Sequence, residues 1–81
     1  ENSVYVDPDF QRQGLGRILM SELVERARLF GYHSVIARIA EGNPGSVALH
    51  EAFGYRVVGV EREVGRKFGR WLDVTEMQLM L

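Results

Sequence analysis

The stretch Gln11-Arg12-Gln13-Gly14-Leu15-Gly16-Arg17 decides how the rest of this sequence is interpreted. It lies between the run Ser3-Val4-Tyr5-Val6, whose β-branched and aromatic residues are typical of a strand, and a run with helical spacing. Glycines at such a junction let the backbone approach a ligand closely, and successive N–H groups at a helix start bind anions. Arg12 and Arg17 can neutralise phosphate charge. The stretch is therefore a candidate phosphate site, although a plain glycine turn accounts for the two glycines equally well.

Two well-known nucleotide-binding motifs do not fit this glycine loop, which we define as residues 11–17. A Rossmann fingerprint requires a third glycine and an acidic residue at the end of the next strand, and a P-loop requires Gly-Lys followed by Ser or Thr. Neither pattern is present. The candidate phosphate site therefore belongs to neither of these classes.

After the glycine loop the sequence predicts a helix that ends at Gly31, which is placed as a C-terminal cap. Glu22 and Arg26 stand four residues apart on it, in the orientation that stabilises a helix. The apolar residues that recur at helical spacing are Ile18, Leu19, Leu23, Val24 and Ala27.

The next two predicted elements are a strand over residues 33–39 and a short helix over residues 46–53. Asn43 supplies an N-cap side chain and Pro44 suits the first turn, because its φ is already helical. Gly54 ends this helix.

The C-terminal third predicts a strand over residues 55–62, a functional loop over residues 63–71 and a last strand over residues 74–81. The order is then β-α-β-α-β-β, which indicates an α/β layered domain with parallel pairing early in the chain. We expect the last two strands to pair antiparallel. Because only two helices are available for four strands, we also expect one face or edge of the sheet to stay uncovered.

Composition excludes several classes of protein. The 81 residues are 46% hydrophobic and 26% charged, which excludes a disordered or fibrous chain. A net charge of −1 argues against a general polyanion binder, and the lack of cysteine excludes a disulfide scaffold, a thiolate nucleophile and a cysteine-ligated metal. No apolar run is long enough to cross a membrane and no signal peptide opens the chain. We expect a cytoplasmic chain that is part of a longer protein, since it starts at Glu1 rather than at Met.

The glycine loop resembles the pyrophosphate loop of the GNAT-fold N-acetyltransferases, Gln/Arg-x-x-Gly-x-Gly/Ala. The strand before it, Val4-Tyr5-Val6-Asp7-Pro8, also resembles that family, and residues 43–55 resemble its Asn-x-x-Ser/Ala…aromatic-Glu-x-x-Gly-Phe/Tyr segment. Within the family the chain is most similar to the phosphinothricin and methionine sulfone or sulfoximine acetyltransferases. That similarity lies in residues 1–6, in Leu49-His50-Glu51 and in residues 65–73.

The resemblance implies that residues 1–81 are the acetyl-CoA-binding, C-terminal half of an acyl-CoA N-acyltransferase (GNAT) fold. Its first three strands and first two helices have no counterpart in this sequence. It further implies acetyl-CoA as cosubstrate, no metal, a small amino-acid-like amine as acceptor, and a homodimer that binds neither nucleic acid nor a membrane. The cations Arg66, Lys67 and Arg70 then suggest either an anionic acceptor site or a dimer contact, although a solvated loop accounts for them as well.

Acetyl transfer needs a deprotonated amine, a polarised thioester carbonyl and a protonated leaving thiolate. Glu1 lies where the resembling subfamily has its general base, although an exposed terminal carboxylate is the simpler interpretation. His50 lies where many acetyltransferases have a tyrosine near the sulfur of coenzyme A, and there it would protonate the thiolate or orient the acceptor. The alternative is a purely structural histidine.

Cofactor-binding residues follow from the same resemblance. Backbone groups of the first strand would hold the pantetheine arm, the glycine loop would hold the pyrophosphate, and Asn43 would contact the cofactor besides capping its helix. The full set is Val4, Tyr5, Val6, Gln11, Arg12, Gln13, Gly14, Leu15, Gly16, Arg17, Asn43 and Ser46.

A second function remains open at this point. A fragment that lacks the acceptor half can bind coenzyme A, or pair with another chain, without any turnover. Glu1, His50 and the glycine loop favour the enzyme for the parent protein, whereas the missing half favours the binding fragment for this chain alone.

Overall fold

The computed structural model describes residues 3–6, 13–41 and 44–81, with side chains described for 3–6, 16–41 and 45–81. Glu1, Gln11, Arg12 and Asn43, four of the predicted site residues, lie outside the described ranges. Within these ranges the chain forms six elements in the predicted order. They are β1 (Ser3–Val6), α1 (Gln13–Leu29), β2 (Ser34–Ala40), α2 (Pro44–Ala52), β3 (Arg56–Lys67) and β4 (Arg70–Met80).

The four strands form one mixed sheet in the order β1-β2-β4-β3. β1 and β2 are parallel, with Val4 opposite Val35, and β4 runs antiparallel to both β2 and β3. The α/β class, the early parallel pair and the antiparallel final pair are therefore confirmed.

One face of the sheet packs against both helices. Alternate residues of β2 and β4 point into this core, because neighbouring side chains of a strand point to opposite faces. The buried apolar residues are Met20 and Ala27 of α1, Val35, Ala37 and Ile39 of β2, Leu49 of α2, Tyr55, and Met77 and Leu79 of β4.

The buried stripe of α1 differs from the predicted one. Ile18 is 61% exposed and Leu19 is 45% exposed, whereas Met20 is completely buried. The buried line runs through Gly16, Met20 and Ala27, at spacings that return to one side of a helix. The prediction from apolar residue type, which put Ile18 and Leu19 on the buried side of α1, is therefore wrong for these two residues.

The helix starts also differ from the prediction. α1 begins at Gln13, so most of the glycine loop forms the first turns of the helix instead of preceding it. Glycine costs about 1 kcal/mol relative to alanine inside a helix, a cost that packing can offset. α2 begins at Pro44 and ends at Ala52, earlier at both ends than predicted, and Pro44 occupies the first-turn position expected for it.

The predicted functional loop over residues 63–71 is wrong, because these residues form a β-hairpin. β3 continues to Lys67 and β4 starts at Arg70, and the two residues between them close the turn. Phe68 has a φ of 53° and Gly69 a φ of 76°. Positive φ at both central residues is the type I′ geometry, whose twist matches that of paired strands.

A bulge interrupts the hairpin where Glu61 pairs with Val74 and Gly65 pairs with Leu72. The Asp73 carboxylate fills it, since Oδ1 accepts the Glu63 N–H at 2.9 Å. Glu41, just beyond β2, ties the hairpin base to the neighbouring strand. Its N–H donates to the Asp73 carbonyl at 2.9 Å, and its carboxylate accepts the Asp73 N–H.

The opposite face of the sheet carries polar side chains and is not covered by either described helix. Nε and Nη2 of Arg38 each donate to one oxygen of the Glu61 carboxylate at 3.0 Å, and the Ser3 and Ser34 hydroxyl oxygens are 2.7 Å apart. Tyr5 also lies on this face and is 68% exposed. The expectation of an uncovered face agrees with this arrangement in the described part of the chain.

Candidate functional site

The parallel pair β1–β2 sets the location of the candidate site. Because the two strands are parallel, their carboxyl ends lie at the same edge of the sheet, and each is followed along the chain by a helix. In open α/β sheets, ligands bind outside the carboxyl ends of such strands. The residues that follow Val6 and Ala40 are thus the region in which to look for a ligand.

The start of α1 suits an anion. The first N–H groups of a helix lack an intrahelical acceptor and give its N-terminus about half a unit of positive charge. The backbone of Gln13, Gly14 and Leu15 lies in this first turn, which contains no acidic residue, and the Arg17 side chain is exposed. Gly16 is buried, so its missing side chain also lets the helix pack closely.

β1, the strand that precedes α1 along the chain, offers an open edge. Among the described strands it pairs only with β2, so the backbone groups along its other side have no strand partner there. The pairing ends at Val6 and Ala37, whereas β2 continues to Ala40. Val4 and Val6 point into the core, whereas the exposed Tyr5 side chain lies on the opposite face of the sheet.

α2 carries two buried polar residues one turn apart, Ser46 and His50. The His50 ring bonds through Nδ1 to the Ser46 carbonyl at 2.7 Å. Because a carbonyl oxygen only accepts, the proton of the neutral ring is on Nδ1 and the lone pair is on Nε2. Burial lowers the pKa of His50 below its ordinary value, and the bond to Ser46 opposes that shift. The ring is therefore neutral near pH 7.

Tyr55 adds a third polar group to the same cluster, and the sequence did not single it out. Its ring stands edge-on to the His50 ring, with centroids 4.8 Å apart and planes at 78°. Burial raises the pKa of Tyr55 to about 12. Within the described part of the chain, neither its hydroxyl nor that of Ser46 has a hydrogen-bond partner. A buried polar group without a partner lowers the free energy of unfolding by about 1–3 kcal/mol, so these two hydroxyls destabilise the core relative to apolar groups.

The described site residues fall into two groups. Val4, Tyr5 and Val6 lie on β1 and residues 13–17 form the first turns of α1, the next element along the chain. Ser46 and His50 are joined by a hydrogen bond on α2. None of the described residues forms a cluster of His, Asp or Glu that could hold a metal ion, and neither described helix is long and apolar enough to cross a membrane.

Comparison with known proteins identifies a family. The model of the acetyltransferase (GNAT) family matches residues 1–55. The chain is 51% identical to the L-amino acid N-acyltransferase MnaT of Escherichia coli, over 100% of this chain and 47% of that protein. It is 49% identical to the L-methionine sulfoximine/L-methionine sulfone acetyltransferase of Pseudomonas aeruginosa, again over 100% of this chain and 47% of that protein.

Solved structures give the same result. The Salmonella typhimurium acetyltransferase yncA, solved with its cofactor acetyl-CoA, superposes with a TM-score of 0.86 at 44% identity, over 99% of this chain and 49% of that one. A phosphinothricin acetyltransferase from Sinorhizobium meliloti in complex with acetyl-CoA gives 0.80 at 42% identity, over 88% of this chain and 38% of that one. The predicted resemblance and fold are confirmed, and the chain spans about half the length of these relatives.

Proposed function

The chain belongs to the acetyltransferase (GNAT) family, and we propose that it is the acetyl-CoA-binding half of an N-acetyltransferase domain. The reaction moves an acetyl group from acetyl-CoA to the amino group of a small amino-acid-like acceptor. Phosphinothricin, methionine sulfone and methionine sulfoximine are the acceptor types named for its relatives. The observation that supports the proposal most is the start of α1, where residues 13–17 of the stretch that resembles the family's pyrophosphate loop form a helix N-terminus with no acidic residue in its first turn.

The predicted site residues suit acetyl-CoA, although Gln11, Arg12 and Asn43 lie outside the described ranges. Free N–H groups at the start of α1, together with Gln11, Arg12 and Arg17, would bind the pyrophosphate. The open edge of β1 would bind the amides of the pantetheine arm by strand-like hydrogen bonds. Asn43 and the Ser46 hydroxyl, which has no partner in the described part of the chain, would add polar contacts. When bound, acetyl-CoA supplies the acyl donor and the thiolate leaving group.

The proposed chemistry assigns different roles to the two candidate catalytic residues. Glu1 would accept the proton of the acceptor's ammonium group, directly or through a water. Because burial lowers the pKa of His50, the resting ring is neutral and has a lone pair instead of a proton at Nε2. It therefore suits accepting a hydrogen bond from the acceptor there, and a proton only during the reaction, better than protonating the thiolate. Backbone N–H groups of β1 would polarise the acetyl carbonyl.

A binding fragment without turnover remains the second candidate. It is favoured by the length of the chain, which is about half that of its relatives, and by the sheet face that neither described helix covers. Binding of acetyl-CoA without product formation would distinguish it from the enzyme.

A homodimer and a cytoplasmic location, both implied by the resemblance, stay predictions. The hairpin tip supports a contact between copies or with an anionic acceptor. Its Phe68 side chain is 94% exposed, and the Arg66 guanidinium lies 5.0 Å from the centre of the Trp71 ring.

Calorimetry with acetyl-CoA tests the cofactor site in the 81-residue chain. Arg17→Gln should weaken binding roughly tenfold, which corresponds to one charge-assisted contact of about 1.4 kcal/mol. Arg28→Gln is the matched control, because it removes an exposed cation at the other end of the same helix. Equal effects of the two substitutions, or no binding by the folded chain, would contradict the assignment.

A further inference from the structure

Both helices end in the same sequence, Phe-Gly-Tyr, at residues 30–32 and 53–55. Gly31 and Gly54 have φ values of 79° and 94°, in the left-handed region. In each copy the glycine N–H donates to the carbonyl three residues earlier, and the tyrosine N–H donates to the carbonyl five residues earlier, all at 3.0 Å. This is the Schellman motif, which brings the residue after the glycine against the residue five positions before it.

The two copies place their tyrosines against different residues. Tyr32 is bonded to the backbone of Ala27, and Tyr55 to the backbone of His50. In the second copy the side chains meet as well, ring edge against ring face at 4.8 Å. The backbone motif thus fixes where the Tyr55 ring lies relative to the imidazole.

The imidazole is then held on two sides. The Ser46 carbonyl accepts from Nδ1 at 2.7 Å, and the Tyr55 ring packs edge-on against the imidazole, with centroids 4.8 Å apart. A half-turn about the Cβ–Cγ bond of His50 would break the Ser46 contact and exchange the positions of the ring's nitrogen and carbon atoms.

We infer that Tyr55 is a positioning residue that holds the His50 ring in the one orientation that keeps the proton on Nδ1 and the lone pair on Nε2. The inference rests on the proposed role of His50 in acetyl transfer. It concerns the geometry of a ring, however, and is testable without turnover. The aromatic ring of Tyr55 carries this role, so phenylalanine should replace it.

Nitrogen-15 NMR of the histidine side chains tests the inference, with His33 as the internal reference. In the wild-type chain and in Tyr55→Phe, His50 should show one tautomer, protonated on Nδ1, and a pKa below the ordinary value. In Tyr55→Leu, both tautomers should appear and the pKa should rise toward the ordinary value. Tyr32→Leu is the matched control, because it removes the equivalent ring from α1 and should leave the His50 signals as in the wild type.

Retention of a single Nδ1-protonated tautomer in folded Tyr55→Leu would overturn the inference, as would an equal change in Tyr32→Leu. If Tyr55→Leu does not fold, the wild-type chain provides the test. The absence of a nuclear Overhauser contact between the Tyr55 and His50 ring protons would also overturn the inference. Failure of the proposed function would appear separately. The chain would then show no acetyl-CoA binding or no turnover, while its His50 signals still showed the single Nδ1-protonated tautomer.

Discussion

The C-terminal ends of α1 and α2 share a backbone motif and differ in what they bury. At the end of α1 the motif joins Tyr32 to Ala27, and the preceding Phe30 is largely exposed. At the end of α2 the same motif joins Tyr55 to His50, and both rings are buried together with Ser46. The motif stops a helix in both places, but only at α2 does it also organise polar groups in the interior.

Stability alone does not account for the buried polar residues at the C-terminal end of α2. The α1 end shows that alanine and a half-buried tyrosine satisfy the same hydrogen-bond pattern. Burial of an imidazole and of hydroxyls that have no partner in the described part of the chain costs stability relative to apolar side chains. A functional role for His50 gives a reason for that loss of stability. Matched substitutions at the C-terminal ends of α1 and α2 test this role.

The largest expected effect is on turnover. In the proposed N-acetyltransferase, His50→Phe keeps a ring in the buried site and removes both nitrogens. Loss of a positioned acid or base typically lowers the rate by about 10²–10⁴, so kcat should fall far more than acetyl-CoA binding weakens. Steady-state kinetics with methionine sulfone and phosphinothricin, beside a thermal melt, measure this.

The control for turnover is Tyr32→Phe at the α1 end, which should keep a normal kcat. Glu1→Gln should resemble His50→Phe, because glutamine keeps the shape of glutamate and loses its basicity. Near-normal turnover in a stable His50→Phe variant would mean that the α2 end is structural, as the α1 end is.

At the ends of α1 and α2, the sequence predicted the backbone conformation better than the side-chain contacts. Gly31 and Gly54 were identified as helix ends because glycine tolerates the positive φ that such an end requires. Tyr55 was not identified, because the contact of its ring with His50 depends on where the motif places both rings. The recurring Phe-Gly-Tyr was the available signal.

The hairpin shows a second limit of the sequence. Residues 63–71 have the composition of a loop, and Phe68 at positive φ is a conformation that its residue type does not indicate. Asp73 bonds to Glu63 at the bulge and also to Glu41, which is far away in the sequence and meets Asp73 only when β4 pairs beside β2. Local pattern predicts neither contact.

An intermediate effect is expected on the pH dependence of stability. Because burial lowers the pKa of His50, the unfolded chain binds a proton there at higher pH than the folded chain does. The free energy of unfolding should therefore fall as the pH drops below about 6.5, by at most about 1.4 kcal/mol per pH unit for one proton, until the folded-state pKa is passed. Urea denaturation at pH 7.5 and 5.5 measures it.

His50→Phe should remove this part of the pH dependence, so the wild-type chain should lose more stability than the variant between the two pH values. The other titrating groups are common to both chains and cancel in the difference. Tyr32→Phe should keep the wild-type dependence. Equal losses in the wild type and in His50→Phe would show that the imidazole titrates alike in the folded and unfolded chains.

The smallest effect separates the two tyrosine hydroxyls. Tyr55→Phe removes a buried hydroxyl that has no partner in the described part of the chain, so the free energy of unfolding should stay unchanged or rise by up to about 1 kcal/mol. Tyr32→Phe, at a half-buried position, should change it by less than about 0.5 kcal/mol. Urea denaturation of both variants at pH 7 makes the comparison.

A loss above about 1 kcal/mol in Tyr55→Phe alone would mean that this hydroxyl is hydrogen-bonded in solution. The polar cluster at the end of α2 would then be held by that bond as well as by the ring contact.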